Sequence, residues 1–151
     1  MKFSSQVDSE GWKASNVVDG IERQPHEWAT RYEGPSAWIE LAVENGTTSS
    51  QLSMLAITPR YGVGRQEIAK QVLASFSDGS VQVLNFDCSY NTQYFIVNKT
   101  STKIKLTFQS ICDSSFASPG FGEVKAYSNK STCLYFCSIF DYSVLTFFLF
   151  C

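Results

Sequence analysis

The sequence predicts an all-β protein built as an antiparallel β-sandwich. Short runs in which apolar and polar residues alternate recur along the chain, separated by Gly, Asn, Asp and Ser. Helical periodicity is scarce, and aromatic residues make up 15% of the 151 residues, which suits strands better than helices. Many short strands without intervening helices favour a sandwich or barrel over a mixed α/β fold.

The clearest predicted strand covers residues 103–108, in which Ile104, Leu106 and Phe108 face one way and polar residues face the other. Residues 72–76 alternate in the same manner, and Asp78-Gly79 then predicts a hairpin turn into residues 81–84. Further strands are predicted at residues 38–43, 51–58, 93–97 and 122–127. Residues 16–20 are expected to form a tight turn or a single helical turn, and residues 64–70 one short helical turn at most. The inward side chains are predicted to be Ile39, Leu41, Val72, Phe76, Ile104, Leu106, Phe108 and Val124.

The charge pattern argues against nucleic acid as a partner. The formal net charge is −2, and no basic run could neutralise several phosphates. The same absence argues against polybasic attachment to anionic lipid.

The five cysteines are an odd number, so at least one has no partner within the chain. Cys133 and Cys137 lie far from the single histidine, which disfavours a zinc site. Cys88 and Cys112 both lie in predicted loops. The sequence leaves open whether these two cysteines form a disulfide or remain free thiols.

Three matches to the N-glycosylation pattern begin at Asn45, Asn98 and Asn129, and they favour a secretory context. The first residues, however, lead straight into polar sequence without the apolar segment of a signal peptide. The expectation is therefore an intracellular chain or a piece of a longer gene product.

The composition changes abruptly after Lys130. Residues 133–151 are nearly all aromatic or aliphatic, which approaches the length of a membrane span, but Asp141 lies in the middle. We expect one domain over residues 1–130 and a hydrophobic tail over 131–151 outside the fold. The tail is either a membrane anchor or a product of a truncated gene model, and it is the only expected contact with a membrane.

Four motifs in order resemble those of the discoidin family, also called coagulation factor 5/8 C-type domains. Residues 16–20 read Asn-Val-Val-Asp-Gly and precede Trp28; residues 38–41 read Trp-Ile-Glu-Leu; residues 120–124 read Gly-Phe-Gly-Glu-Val. The resemblance covers about residues 3–128 and implies a galactose-binding-like jelly roll that binds ligands without catalysis. Trp28 and Trp38 are expected in its core.

The resemblance also implies a calcium ion at one end of the sandwich. By motif position Asp19 and Glu123 are the expected ligands, with backbone carbonyls, and hard oxygen ligands suit calcium. The turn departs from the family pattern, because it is two residues longer and lacks a threonine before Trp28. The alternative is that Asp19 caps a turn and Glu123 pairs with a cation or an amide.

The expected ligand site lies on loops at one end of the sandwich. Residues 60–65 form a glycine-containing loop with two arginines and a tyrosine, so Tyr61 is the expected stacking platform, and Arg60 and Arg65 the expected hydrogen-bond donors. The alternative is a solvated loop. Trp12 and His26 are further candidates, His26 also being a candidate surface turn residue. Other loop residues with suitable groups are Glu27, Arg31 and Tyr32.

The expected function is binding of a glycan or a cell-surface glycoprotein, with an acidic or galactose-like sugar as ligand and an extracellular or cell-surface location. A cell-adhesion, protein-binding or phospholipid-binding module of the same fold is the alternative, although residues 62–64 match a large apolar spike poorly. An enzyme is not expected, because the chain lacks a nucleophile elbow, a zinc-binding His pair and any second histidine.

Overall fold

The computed structural model describes residues 1–7, 10–22, 26–43, 47–61, 67–113 and 118–128, and the backbone of 133–134. Two short 3₁₀-helices, Glu10–Trp12 and Ala14–Val18, lie near the start. The strands are β1 (Lys2–Phe3), β2 (Trp28–Ala29), β3 (Trp38–Ala42), β4 (Ser50–Pro59), β5 (Ala69–Phe76), β6 (Val81–Asn85), β7 (Gln93–Ser101), β8 (Lys103–Ile111), β9 (Gly120–Ser128) and β10 (Cys133–Leu134).

These strands form two antiparallel sheets, which confirms the predicted all-β sandwich. The first sheet has the order β1-β3-β8-β5-β6. The second has the order β10-β9-β4-β7, and β2 also pairs with β9. The pairing of consecutive strands such as β5 with β6 is local, whereas β4 pairs with β9, five strands later in the chain.

The core between the sheets contains the eight side chains predicted to face inward. Each of them is at most 5% exposed, as the period-2 alternation requires. Trp28, Phe108 and Phe121 form its aromatic centre, with ring centroids 4.8–6.2 Å apart. The indole N–H of Trp28 donates to the carbonyl of Ser5 at 2.9 Å, so this buried ring keeps its polar atom satisfied.

The prediction that Trp38 belongs to the core is wrong. Ile39 and Leu41 point inward from β3, so the alternation places Trp38 on the outer face of the first sheet, where it is half-buried. There the ammonium group of Lys105 lies 4.2 Å from the centre of the indole ring, in cation–π contact.

Gly120 is required where β2 meets β9. A Cβ atom at this position would lie 1.7 Å from the carbonyl oxygen of Trp28, so a larger residue would force the two strands apart. This close approach gives the first glycine of the Gly-Phe-Gly-Glu-Val motif a structural role: it brings Trp28 onto Phe121, its partner in the strand register.

The hairpin turn predicted at Asp78-Gly79 and the turn predicted at 16–20 are both present. Gly79 adopts a φ of +83° and its N–H donates to Phe76 at 3.0 Å, while Asp78 accepts the N–H of Ser80. The single helical turn predicted at 16–20 is the second 3₁₀-helix, followed by Gly20 at φ +83°. Most of the turn predicted at 64–70 lies outside the described residues, and β5 already begins at Ala69.

The topology gathers four loops at one end of the second sheet. Because β7 and β9 both run antiparallel to β4, the end of β4 lies beside the starts of β7 and β9. The segment that follows β4, the loop before β7 and the residues before β9 therefore meet there. The turn after the second 3₁₀-helix joins them, because Gly20 contacts Glu123 of β9.

The backbone of Cys133–Leu134 pairs with Tyr127 and Ala126 of β9, within the segment predicted to lie outside the fold. That the remainder of this segment lies outside the fold stays a prediction. The described hydrophobic core lies entirely between Ala14 and Ala126.

We predict that deleting residues 131–151 leaves the domain stable, because the deletion removes two paired backbone residues and none of the described core. The melting temperature should change by less than about 4 °C, the upper shift that 1 kcal/mol produces in a domain of this size. Calorimetry of both chains measures it. A larger fall would show that the tail packs into the domain.

Candidate functional site

A cavity of about 580 Å³ opens at the end of the second sheet where the four loops meet. Its lining combines two aromatic rings with hydroxyl, amide and carboxylate groups. The lining residues are Glu22, Thr58, Pro59, Tyr61, Tyr90, Asn91 and Thr92. A concave surface with apolar rings and a few polar groups is the usual form of a small-molecule site.

The two rings form a paired platform. The centroids of Tyr61 and Tyr90 are 4.6 Å apart and the ring planes are tilted by 50°. Tyr61 remains 55% exposed, so its ring is available to a ligand. Beneath them, the hydroxyls of Thr58 and Thr92 are hydrogen-bonded at 2.8 Å and join β4 to the start of β7.

Tyr90 is held by a loop that is anchored at both ends. Cys88 forms a disulfide with Cys112, at the end of β8, with the two Cα atoms 5.8 Å apart. Asp87 accepts hydrogen bonds from the N–H of Ser89 and the side chain of Gln93. The hydroxyl of Ser89, followed by its backbone N–H, is the main reason why the pKa of Asp87 lies below its usual value. The disulfide resolves the alternative left open by the sequence.

Tyr61 is held through its backbone. Its N–H donates to Oε1 of Glu27 at 2.8 Å. Glu27 has no exposed surface, and its own N–H donates to Gly11 at 3.1 Å. A buried carboxylate thus fixes the backbone from which the exposed ring projects.

Arg60, the residue before Tyr61, is buried, and other residues of the protein surround its guanidinium group. Its Nη1 donates to Glu67 at 2.7 Å and to the carbonyl of Ser118 at 2.8 Å. Its Nε lies 3.6 Å from Oε2 of Glu27, close enough for attraction but too far for a hydrogen bond. The guanidinium carbon also lies 4.5 Å from the centre of the Trp12 ring. We call Glu27, Arg60, Glu67 and Trp12 the Arg60 cluster.

The Arg60 cluster carries two carboxylates and one guanidinium. Burial raises the pKa of Glu27, while the N–H of Tyr61 and the charge of Arg60 lower it and the charge of Glu67 raises it further. Burial is the dominant cause, which fits a carboxylate whose Oε2 has no hydrogen-bond partner among the described residues. Removing the only cation of this cluster would leave buried negative charge uncompensated.

The structure separates the residues that were predicted to form the ligand site. Tyr61 lines the cavity, whereas Arg60 and Trp12 lie behind it in the Arg60 cluster. His26 is exposed and its Nδ1 lies 3.2 Å from Asp19 Oδ2, away from the described lining of the cavity. Arg65 and the glycines of its loop lie outside the described residues. Their part in binding stays a prediction.

The sequence analysis missed six of the lining residues, namely Glu22, Thr58, Pro59, Tyr90, Asn91 and Thr92. A signal was present for three of them, because Tyr90-Asn91-Thr92 places a ring and two polar side chains in the predicted loop after Cys88. Nothing in the sequence indicates that this loop lies opposite Tyr61, since that depends on the pairing of β4 with β7.

The two residues predicted to bind calcium come together. The N–H of Gly20 donates to Oε2 of Glu123 at 3.0 Å, so the turn after the second 3₁₀-helix covers this carboxylate. Asp19 accepts the N–H of Ile21 with Oδ1 and faces His26 with Oδ2. Lys125 pairs with Glu22 at 2.6 Å beside them.

Burial raises the pKa of Glu123 to about 7. The N–H of Gly20 and the charge of Lys125 lower it, and the negative charges of Asp19 and Glu22 raise it further. Among the residues that the structure describes, no three His, Cys, Asp or Glu side chains converge on one point as metal ligands. In the same part of the chain, no helix is long and apolar enough to cross a membrane.

Several solved structures share this architecture. The family 32 CBM of NanJ from Clostridium perfringens, in complex with galactose, has a TM-score of 0.64 and 16% identity over 83% of this chain and 90% of that chain. A fucose binding module from Streptococcus pneumoniae has a TM-score of 0.64 and 16% identity, over 85% and 93% of the two chains. An F5/8 type C domain from Bacteroides fragilis has a TM-score of 0.64 and 14% identity, over 84% and 89%.

The chain therefore has the galactose-binding-like fold of F5/8 type C, or discoidin, domains, as its motifs predicted. No protein-family model matches the sequence, and no curated protein matches it either. The likeness is one of architecture, at sequence identities of 14–16% for these three structures.

We predict that Glu123 makes the folded state less stable as the pH rises from 4.5 to about 7. Its pKa in the folded state lies above the ordinary value of 4.5, so the folded protein binds more protons than the unfolded chain in this window. The stability conferred by the protonated carboxyl is complete below pH 4.5 and is lost as the pH rises through 7. Glu123→Gln should therefore gain about 1–3 kcal/mol relative to the wild type between pH 4.5 and 7.5.

Urea unfolding in chelator-containing buffer at several pH values measures this difference. Glu40→Gln on the first sheet is the matched control for losing one carboxylate, because Glu40 pairs with Lys103 at the surface. A Glu123→Gln difference that does not change with pH would show that this carboxylate titrates normally.

Proposed function

We propose that this domain binds a glycan in the cavity beside Tyr61 and Tyr90, without catalysing a reaction. The tilted tyrosine pair at the mouth of a cavity lined with polar groups is the observation that carries the proposal. The apolar face of a sugar ring stacks on an aromatic ring, and a few fixed polar groups select the pattern of hydroxyls.

The polar groups around the platform match this task. Thr58 and Thr92 present hydroxyls on the floor of the cavity, and Asn91 presents an amide that both donates and accepts. Glu22 supplies an acceptor that is 43% exposed while it pairs with Lys125. Together they offer donors and acceptors to a ligand that carries several hydroxyls.

The charges of the described residues favour a neutral sugar over an acidic one. The only charged side chain in the described lining is the carboxylate of Glu22. Two described cations at this end of the sandwich are already paired, Lys125 with Glu22 and Arg60 with Glu27 and Glu67. An acidic sugar would bring a second negative charge towards Glu22, at an electrostatic cost.

The comparisons support sugar binding on grounds of architecture. Two of the similar structures are described as a CBM in complex with galactose and as a fucose binding module. Because the sequence identities are low, the chemistry proposed for this chain depends on its own Tyr61–Tyr90 cavity.

We propose an extracellular or cell-surface location, with a glycan or a cell-surface glycoprotein as partner. The supporting observation is the disulfide between Cys88 and Cys112, because such bonds form and persist in oxidising compartments.

We predict that Tyr61→Ala and Tyr90→Ala each weaken glycan binding by about 1–3 kcal/mol, the scale of one buried side chain. Each substitution removes one ring of the platform. A neutral-glycan array identifies the ligand, and isothermal titration calorimetry then gives the dissociation constants. Tyr61→Phe should bind like the wild type, because the ring remains.

Arg60→Met distinguishes support of the site from direct contact. It should lower the free energy of unfolding by about 3–5 kcal/mol, because it leaves Glu27 buried and unpaired, whereas Tyr61→Ala should change it little. Full binding by the Tyr61→Ala, Tyr90→Ala double variant, with an unchanged melting temperature, would refute this site. Binding of phospholipid vesicles instead of glycans would favour the alternative module.

We also propose a calcium ion next to Glu123, held by Asp19, Glu123 and backbone carbonyls. The donor chemistry fits a hard cation, since the available groups are oxygens. Burial is the main reason why the pKa of Glu123 is raised, and the neighbouring carboxylates of Asp19 and Glu22 raise it further, although Lys125 lowers it. A bound cation would offset the negative charge of these three carboxylates.

We predict that free calcium raises the melting temperature of the wild type at pH 7.5 and above, because a ligand of the folded state stabilises it by mass action. Glu123→Gln should abolish the response and keep the fold. Differential scanning calorimetry with calcium and with a chelator measures the effect. Identical melting curves would mean that Asp19 caps its turn and Glu123 accepts the amide of Gly20 without a metal.

A further inference from the structure

The outer face of the second sheet carries an exposed apolar strip that begins at the cavity. Thr92 lines the cavity, and the next residues on the same face of the strand are Tyr94 and Ile96. Their side chains are 64% and 71% exposed, whereas Phe95 and Val97 between and after them pack on the core. Large exposed apolar side chains grouped on one strand are a frequent mark of a binding surface.

The strip is in register with the floor of the cavity. Residues two apart on a strand are about 7 Å apart and share a face, so Tyr94 directly follows Thr92 and Ile96 follows Tyr94. Across the sheet Tyr94 pairs with Ala56 and Ile96 pairs with Met54. The cavity and the strip therefore form one surface that runs along β7.

The backbone of the strip is fixed from the other sheet. Although β7 is an edge strand, the side-chain amide of Gln82 on β6 donates to the carbonyl of Ile96 at 2.9 Å. This bond ties the two sheets together beside the strip and satisfies one acceptor of the edge. A rigid backbone under exposed rings lowers the entropic cost of binding.

We propose that the ligand is a neutral oligosaccharide, with its first sugar in the cavity and the following units stacked along Tyr94 and Ile96. This proposal rests on the proposed function and adds the length and direction of the ligand. Tyr94 provides the second stacking platform, and the Glu22–Lys125 pair borders the surface on the side of β9, since Lys125 pairs with Ala56.

The shape of the strip favours a sugar chain over a protein partner. Only two exposed apolar side chains stand in the row, one behind the other, and the row leads into a polar cavity. A stable protein interface needs about 800 Å² from each partner, which is far more than such a row supplies. A linear ligand of stacked rings and hydroxyls matches both its width and its continuity with the cavity.

The test compares ligands of different length on the full chain. An array of neutral mono- to hexasaccharides of galactose, N-acetylgalactosamine, fucose and N-acetylglucosamine identifies the best ligand. Calorimetry then measures its one-, two-, three- and four-unit forms against the wild type, Tyr94→Ala, Tyr94→Phe and Val83→Ala. Val83 is the matched control, an exposed apolar residue on β6 of the other sheet.

The wild type should bind the three- or four-unit form about tenfold more tightly than the single sugar, a gain of about 1.4 kcal/mol. Tyr94→Ala should lose that gain and keep the affinity for the single sugar, while Tyr94→Phe and Val83→Ala should behave like the wild type. Equal affinities for all lengths, or an unchanged length dependence in Tyr94→Ala, would overturn the proposal and leave the Tyr61–Tyr90 site intact.

Three further outcomes would also overturn it. In one outcome, affinity depends on glycan length only after deletion of residues 135–151, and Tyr94→Ala lowers the melting temperature of the full chain. The tail would then cover the strip in the full chain. If Tyr94→Ala abolishes self-association in sedimentation experiments, a second copy covers it. If no glycan binds to the wild type, both this proposal and the proposed function fail.

Discussion

The structure of the end of the sandwich where the cavity opens depends on the buried guanidinium group of Arg60. Its guanidinium contacts a tryptophan from the first 3₁₀-helix, glutamates on either side of it in the sequence, and the carbonyl of Ser118 before β9. A single cation thereby joins segments that are distant along the chain. Because one partner, Glu27, also accepts the N–H of Tyr61, the cation indirectly fixes the residue that carries the exposed ring.

The two rings of the platform are positioned by different chemistry. Tyr61 follows a buried ion cluster, and Tyr90 lies on a loop closed by a disulfide. Neither support lies in the described lining of the cavity, so the groups that can touch a ligand are separate from those that hold them. Such separation keeps exposed side chains in place without consuming their polar atoms, which is the arrangement that a preorganised binding surface requires.

Around the turn after the second 3₁₀-helix, a backbone amide and a lysine stabilise the carboxylates, in place of a buried arginine. Glu123 points outward from the second sheet but is buried beneath this turn, where it accepts the amide of Gly20. Glu22 from the same turn reaches Lys125 and also borders the cavity. The turn thus couples an acidic, buried position to the wall of the cavity.

Local patterns in the sequence determined the strands and the core. Side chains alternate across a strand whatever its partners are, so Ile104, Leu106 and Phe108 could be assigned to the interior from their spacing alone. The same rule, applied to Ile39 and Leu41, would have placed Trp38 outside. That error came from judging the residue by its type and not by its position in the strand.

Apart from Tyr61, which the sequence already indicated, only the tertiary structure revealed which described residues line the cavity. Tyr61 meets Tyr90 because β4 pairs with β7, and Arg60 is buried against Trp12 and Glu27 from distant segments and Glu67 of its own loop. Neither arrangement has a periodic signal in the sequence, since each depends on contacts between segments far apart in the chain. The sequence therefore determined the strands of the sandwich and several of its turns, whereas the pairing of distant strands decided which loop residues line the cavity and which support them.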